Sequence, residues 1–442
     1  MNKNRQWLDV LRDYESRNIV FVERNGSWPI VWERARDVFV WDVNGKKYLD
    51  LTAAFGVAAA GHANPRVVRA GQKQMARLLH AMGDVHPSAR KAELARELSR
   101  ITFERWRKPS DTRRPTLAAA GKVIFGNSGF EAVEAALKTA MLATGKQGVV
   151  AFTGAYHGLG YGALNATHRE FFRGPFHSQL REFGHFVQFP AKSGEVSAIE
   201  WIIRRLFRRE WIGAILVEPV QGRGGIHVPP KEFLPMLRKI CDDLGALLIL
   251  DEVYTGFGRT GKWFACEHSQ VVPDLICLGK ALTGGFPLSA CVGRADIMDA
   301  AWPASRGEAI HTSTYLGHPV GCAMALAQIK EIEKRDLAAR SAELGEYLIE
   351  LLSDLDLPSS ILASCRGLGL MAGIELRLAD GRPATDVAMR TIKTMLRRGF
   401  ILLPEGEHGN VISFTPPLTI TKKHLTKAVK TLAEVLATEG HR

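Results

Sequence analysis

Between Ala246 and Lys280, two short apolar runs each end on a charged residue. Leu247-Leu248-Ile249-Leu250 runs into Asp251, and Leu275-Ile276-Cys277-Leu278 runs into Gly279-Lys280. Continuous apolar runs of this length, without polar alternation, mark strands buried on both faces of a parallel sheet. That predicts an α/β chain in which a mostly parallel sheet is flanked by helices. Both charges then stand at the carboxyl edge of the sheet, where open α/β sheets bind their ligands. One strand delivers an acid there, and another delivers a lysine.

An acid and a lysine at one sheet edge suit pyridoxal 5'-phosphate. A neutral lysine amine forms a Schiff base with the cofactor's aldehyde, and a carboxylate keeps the pyridine nitrogen protonated so that the ring draws electrons. Burial beside Leu278 and Leu282 lowers the lysine pKa and favours the neutral amine. Alone, Asp251 reads as a turn residue and Lys280 as a solvated helix-start lysine. Together they are far more specific.

A second motif supports the same chemistry. In residues 122–138, KVIFGNSGFEAVEAALK, a strand meets a small-residue turn and then an amphipathic helix. Such a turn points free backbone N–H groups and the positive end of a helix dipole at an anion. Ser128, Gly129 and Phe130 form the expected phosphate cup. No Gly-Lys-Ser/Thr follows, so this is not a Walker loop.

The run DEVYTGFGRTG from Asp251, followed by Gly-Lys-Ala-Leu-x-Gly-Gly from Gly279, closely resembles the class III aminotransferases, a fold-type I pyridoxal phosphate family. The resemblance extends from about residue 20 to 437. It implies a large cofactor-binding domain over residues 66–330, an N-terminal arm over 1–65 and a small C-terminal domain over 331–442, the small α+β domain drawing on both termini. It makes Tyr156 and Val253 the residues on the two faces of the pyridine ring and places Glu218 at the site. Thr314 would reach the phosphate of a neighbouring subunit, which implies a homodimer with composite sites. Phe55 and Gly56 would border the substrate pocket. Two positions depart from the family. Phe130 replaces the usual Thr or Ser, and Tyr254 replaces a glutamine, where its phenol could still donate to the ring hydroxyl.

The specificity positions depart further. Family members acting on 4-aminobutyrate or ornithine carry an arginine where this chain has Leu159, and another where it has Ser413. Neither residue can hold a carboxylate as a bidentate arginine does. The expectation is an ω-transaminase that moves an amino group from an amine or ω-amino donor, diamines included, to a keto acid such as pyruvate. Glu218 is the candidate for a distal ammonium, and Arg223 is a candidate either to pair with Glu218 or to clamp a carboxylate. Alternatives are an aminotransferase of the 4-aminobutyrate, diamine or ornithine type that uses 2-oxoglutarate, or an aminomutase, decarboxylase or epimerase of the same fold.

Composition narrows the class. With 442 residues, two domains sharing an interface are expected. The net charge of +12 comes from dispersed basic residues, with small patches such as Arg204-Arg205 and Arg208-Arg209 on helix-like segments, so no nucleic-acid partner is expected. Six cysteines lie scattered without metal-type spacing, which reads as buried small residues in a reducing cytoplasm. No secretory leader or membrane span is expected. The turn Asn44-Gly45 predicts a hairpin, RGLGLMAGIELR a Gly-rich strand pair, and RWRKPSDTRRPTLAAAG, from Arg105, an exposed insertion.

Overall fold

The computed structural model describes residues 2–23, 26–106 and 120–439. From residue 107 to 119, the expected insertion lies outside the described residues. The remaining chain builds three sheets. The first joins β1 (Trp32–Arg36), β2 (Phe39–Asp42) and β3 (Lys47–Asp50) to β13 (Phe400–Ile401), so residues near the two ends of the chain share one sheet. β2 and β3 pair antiparallel around Asn44-Gly45, as the turn chemistry predicts.

The central sheet holds seven strands: β4 (Gly121–Gly126), β5 (Gly148–Phe152), β6 (Gly184–Val187), β7 (Ile212–Val217), β8 (Leu247–Asp251), β9 (Leu275–Leu278) and β10 (Ser289–Arg294). Their order is β4-β10-β9-β8-β7-β5-β6. β10 alone runs against its two neighbours, and the other pairings are parallel. β5, β7 and β9 are buried at every position, as both-face coverage requires. Helices such as Gly129–Thr144 and Phe233–Leu244 supply that cover and stop on left-handed glycines, Gly145 and Gly245, which are the one residue type that takes this conformation without strain.

The third sheet, ordered β11-β12-β15-β14, comes from the C-terminal part: β11 (Ile361–Leu368), β12 (Met371–Leu378), β14 (Leu403–Glu405) and β15 (Val411–Phe414). The Gly-rich segment is the β11–β12 hairpin, in register from Ile361–Leu378 to Leu368–Met371. No helix among the described residues is long and apolar enough to cross a membrane.

Arg259, on the loop after β8, ties this sheet to the central one. Its side chain is fully buried, and Nη1 donates to the carbonyls of Leu370 at 2.9 Å and Pro416 at 2.6 Å. Ser341 closes the staple by donating to the Arg259 carbonyl and accepting from Leu370 N–H. Burial pushes the guanidinium pKa down to about 10, so it stays charged at neutral pH. Hydrogen bonds from a charged donor contribute roughly 1.5–3 kcal/mol each. Arg259→Met should therefore cost on the order of 3 kcal/mol or more in urea unfolding, and an unchanged midpoint would show that the staple is dispensable.

Candidate active site

The parallel pairing of β8 and β9 sets Asp251 beside Cys277. Asp251 is thus the last residue of its strand, and Lys280 follows β9 by two residues, so both reach one cavity at the carboxyl edge. The backbone turns sharply at Lys280, with φ of 40°. The cavity measures about 420 Å³, and its wall includes Gly129, Phe130, Tyr156, Leu159, Arg223 and Val253 with Asp251 and Lys280. The sequence brought these residues from the ends of β4, β5, β7, β8 and β9.

Asp251 is buried and doubly held. His157 Nδ1 stands 2.8 Å from Oδ2, and Val253 N–H donates to Oδ1 at 3.1 Å. The carboxylate accepts, so Nδ1 carries a proton; Nε2 is buried without a partner among the described residues. That contact fixes the direction of the Asp251 carboxylate. Lys280 Nζ lies 4.3 Å from the centre of the Tyr254 ring. Burial lowers the lysine pKa, the carboxylates of Asp251, Glu218 and Glu405 counter that, and Arg223 adds to it.

The turn before the helix Gly129–Thr144 has the expected shape. Ser128 is its N-cap residue yet makes no side-chain cap bond, and its Oγ is buried without a partner among the described residues. A Cβ on Gly129 would fall 2.9 Å from Val253 Cγ1, so only glycine lets the turn approach Val253 this closely. Val253 thereby faces the cavity between the turn and Gly279. An orphan hydroxyl at a helix start fits a phosphate group. The acid and the lysine beyond it fit the ring and aldehyde of pyridoxal phosphate.

Hydrogen bonds and burial show where the other expected residues stand. Glu218 is engaged by the backbone: Tyr156 N–H donates to Oε1 at 2.9 Å and Gly222 N–H to Oε2 at 3.1 Å, so the side chain braces two backbone turns. Burial raises its pKa. Arg223 does not pair with Glu218. Its Nε lies 3.8 Å from Glu405 Oε2, and its guanidinium sits 5.1 Å from the centre of the Tyr156 ring. The Tyr254 phenol is engaged by Thr415, 3.1 Å from its Oγ1. Ser413 is buried in β15, donates to the Leu403 carbonyl and is not among the residues lining the cavity. Phe55 and Thr314 are exposed and lie outside the lining of this chain's own cavity. Gly56 borders it only through the Tyr254 ring, against which it packs.

Glu405 was missed. It ends β14, and its signal was the one used for Asp251: an apolar stretch, Ile401-Leu402-Leu403, running into an acid across Pro404. The interrupting proline hid it. Glu405 is 4% exposed, and burial pushes its pKa up to about 7 despite the nearby Arg223, Arg169 and Lys280.

Residues 21–436 match the profile of aminotransferase class-III, and the chain belongs to that family. It is 38% identical to 5-aminovalerate aminotransferase DavT of Pseudomonas aeruginosa, over 92% of this chain and 93% of that one. It is 35% identical to a putrescine aminotransferase of Pectobacterium atrosepticum, over 98% of this chain and 89% of the relative. Among solved structures, it superposes on an (S)-enantioselective omega-transaminase from Thermomicrobium roseum with a TM-score of 0.86, at 27% identity and 98% coverage of both chains.

Glu252, next to Asp251, is also a buried acid raised to about 7; it accepts from Thr255 and from the amides of Ala265 and Cys266. Above the ordinary carboxyl pKa the unfolded chain releases these two protons while the folded chain still binds them. Stability therefore falls as pH rises from about 4.5 to about 7, by at most about 1.4 kcal/mol per pH unit for each group. Glu405→Gln removes one share. Its melting temperature should drop less than the wild type's between pH 5 and pH 8, and equal drops would mean that Glu405 is ionised throughout.

Proposed function

We propose that the chain is a pyridoxal phosphate-dependent ω-transaminase, moving an amino group from an amine or ω-amino donor to a keto acid such as pyruvate in two half-reactions. The observation that carries this reading is the joint delivery of Asp251 and Lys280 into one cavity. When bound, the cofactor supplies a carbonyl for the donor nitrogen and a protonated ring that accepts the electron pair left on the donor carbon. Every other part is played by the chain. Ser128 Oγ and the amides of Gly129 and Phe130 hold the phosphate. Tyr156 and Val253 flank the ring, while Asp251, oriented by His157, holds the ring-nitrogen proton. Lys280 Nζ takes a proton from the donor carbon and returns it to a second carbon. Thr314 reaches the phosphate of the neighbouring subunit, so the working assembly is a homodimer.

Leu159 makes the substrate wall apolar, which favours donors without a carboxylate at that point. Arg223 supports a part for a cation in the same wall: it would meet the carboxylate of the keto acid. It also favours a second reading, in which the donor is an ω-amino acid and the acceptor 2-oxoglutarate, in keeping with the 5-aminovalerate enzyme among the relatives.

Borohydride reduction of the loaded protein should fix the cofactor on Lys280, located by peptide mass spectrometry; a label on another lysine overturns the assignment. Arg223→Gln should raise KM for pyruvate by about 10–100-fold, the worth of a charged hydrogen bond, and change kcat for a neutral amine much less. An unaltered KM would remove Arg223 from the acceptor site. Leu159→Arg should shift donor preference toward ω-amino acids by about 1–3 kcal/mol in kcat/KM, and no shift would mean that residue 159 does not face the donor.

A further inference from the structure

The most unusual contact in the cavity is between an amine and an aromatic face. Lys280 Nζ sits 4.3 Å from the centre of the Tyr254 ring, well inside the range in which the negative face of a ring attracts an ammonium. The ring is held in that attitude from three sides. Thr415 donates its hydroxyl to the Thr52 carbonyl at 3.2 Å, so it accepts from the Tyr254 phenol at 3.1 Å. Gly56 and Gly222 press on opposite edges: a Cβ on either would come within 2.5 Å of a ring carbon. Val220, Ile226 and Met371 form one buried cluster with it. The phenol is therefore occupied, the ring cannot rotate freely, and what Tyr254 presents to the site is its π face.

We infer that Tyr254 is a positioning residue whose ring face holds Lys280 in its ammonium form during proton transfer. This rests on the transaminase reading, in which Nζ takes a proton from one carbon and gives it to another, leaving the amine neutral at the end of the step. In between, a buried ammonium needs a partner. The charged groups around it are Asp251, Glu218, Glu405 and Arg223. Asp251 is held by His157 and Val253, Glu218 by two backbone amides, and Glu405 stands against Arg223. Those carboxylates favour the ammonium through space, while the ring face lies directly under Nζ, and being neutral it favours the ammonium without binding it as tightly as a free carboxylate would.

The test measures Lys280 in the cofactor-free protein, by the pH dependence of its reductive methylation read by peptide mass spectrometry. Tyr254→Phe keeps the face and loses the phenol, and Tyr254→Leu loses both. The apparent pKa of Lys280 should stay at the wild-type value in the Phe variant and fall by about 0.5–1.5 pH units in the Leu variant. Equal values in wild type and Leu, or an equal fall in Phe and Leu, overturn the proposal. Thr415→Val, which frees the phenol while keeping the ring, should resemble wild type; a fall as large as in the Leu variant would also count against it. Borohydride labelling of the loaded wild type reports separately on the transaminase reading, since it requires only that Lys280 carries the cofactor.

Discussion

The register between β8 and β9 is the constraint on which this site depends. Because the strands run parallel with Asp251 opposite Cys277, the acid and the lysine arrive at the same sheet edge without any loop having to reach for the other. A slip of one residue would turn Asp251 toward the opposite face, since side chains alternate along a strand. The slip is resisted by complete burial of Leu248, Ile249, Leu250, Ile276, Cys277 and Leu278, each of which would have to change surroundings at once.

The same edge concentrates buried charge, and the chain manages it with backbone donors more than with counter-ions. Glu218 and Glu252 each accept from two main-chain amides, and Asp251 from one. Amides are not displaced by salt as a surface counter-ion is, so these acids tie their loops to the backbone itself. Arg223 and Glu405 are the exception. They stand as an ion pair at 3.8 Å, too long for a good hydrogen bond, and Arg223 alone of the two lines the cavity.

Much of this was legible in the chain. The both-face burial of the central strands follows from uninterrupted apolar runs, the hairpin at Asn44-Gly45 from turn chemistry, and the positions of Asp251, Lys280 and the Ser128 turn from where those runs stop. What was not legible is how side chains turn once they arrive. Glu218, Tyr254 and Ser413 sit on the elements expected, yet each satisfies its polar atoms against neighbours near and far along the chain: Tyr156 and Gly222, Thr415, and Leu403. Sequence spacing places a residue at an edge, but it does not say which donor or acceptor will be nearest. Glu405 was hidden for a simpler reason, the proline that breaks its apolar run.

One strand in the central sheet runs the wrong way. β10 lies between β9, which ends just before Lys280, and β4, which leads to the Ser128 turn. Its opening residues pair with the ends of both: Ser289 with Gly126, and Ala290 with Leu278. β10 therefore works as a ruler. Two strand spacings of about 4.8 Å each set a lateral offset near 10 Å between the lysine strand and the helix start. Loops around the cavity can be rebuilt to suit a new donor, but that offset belongs to the backbone ladder. Any ligand bridging the two ends must match a length set by a strand that contributes no catalytic group.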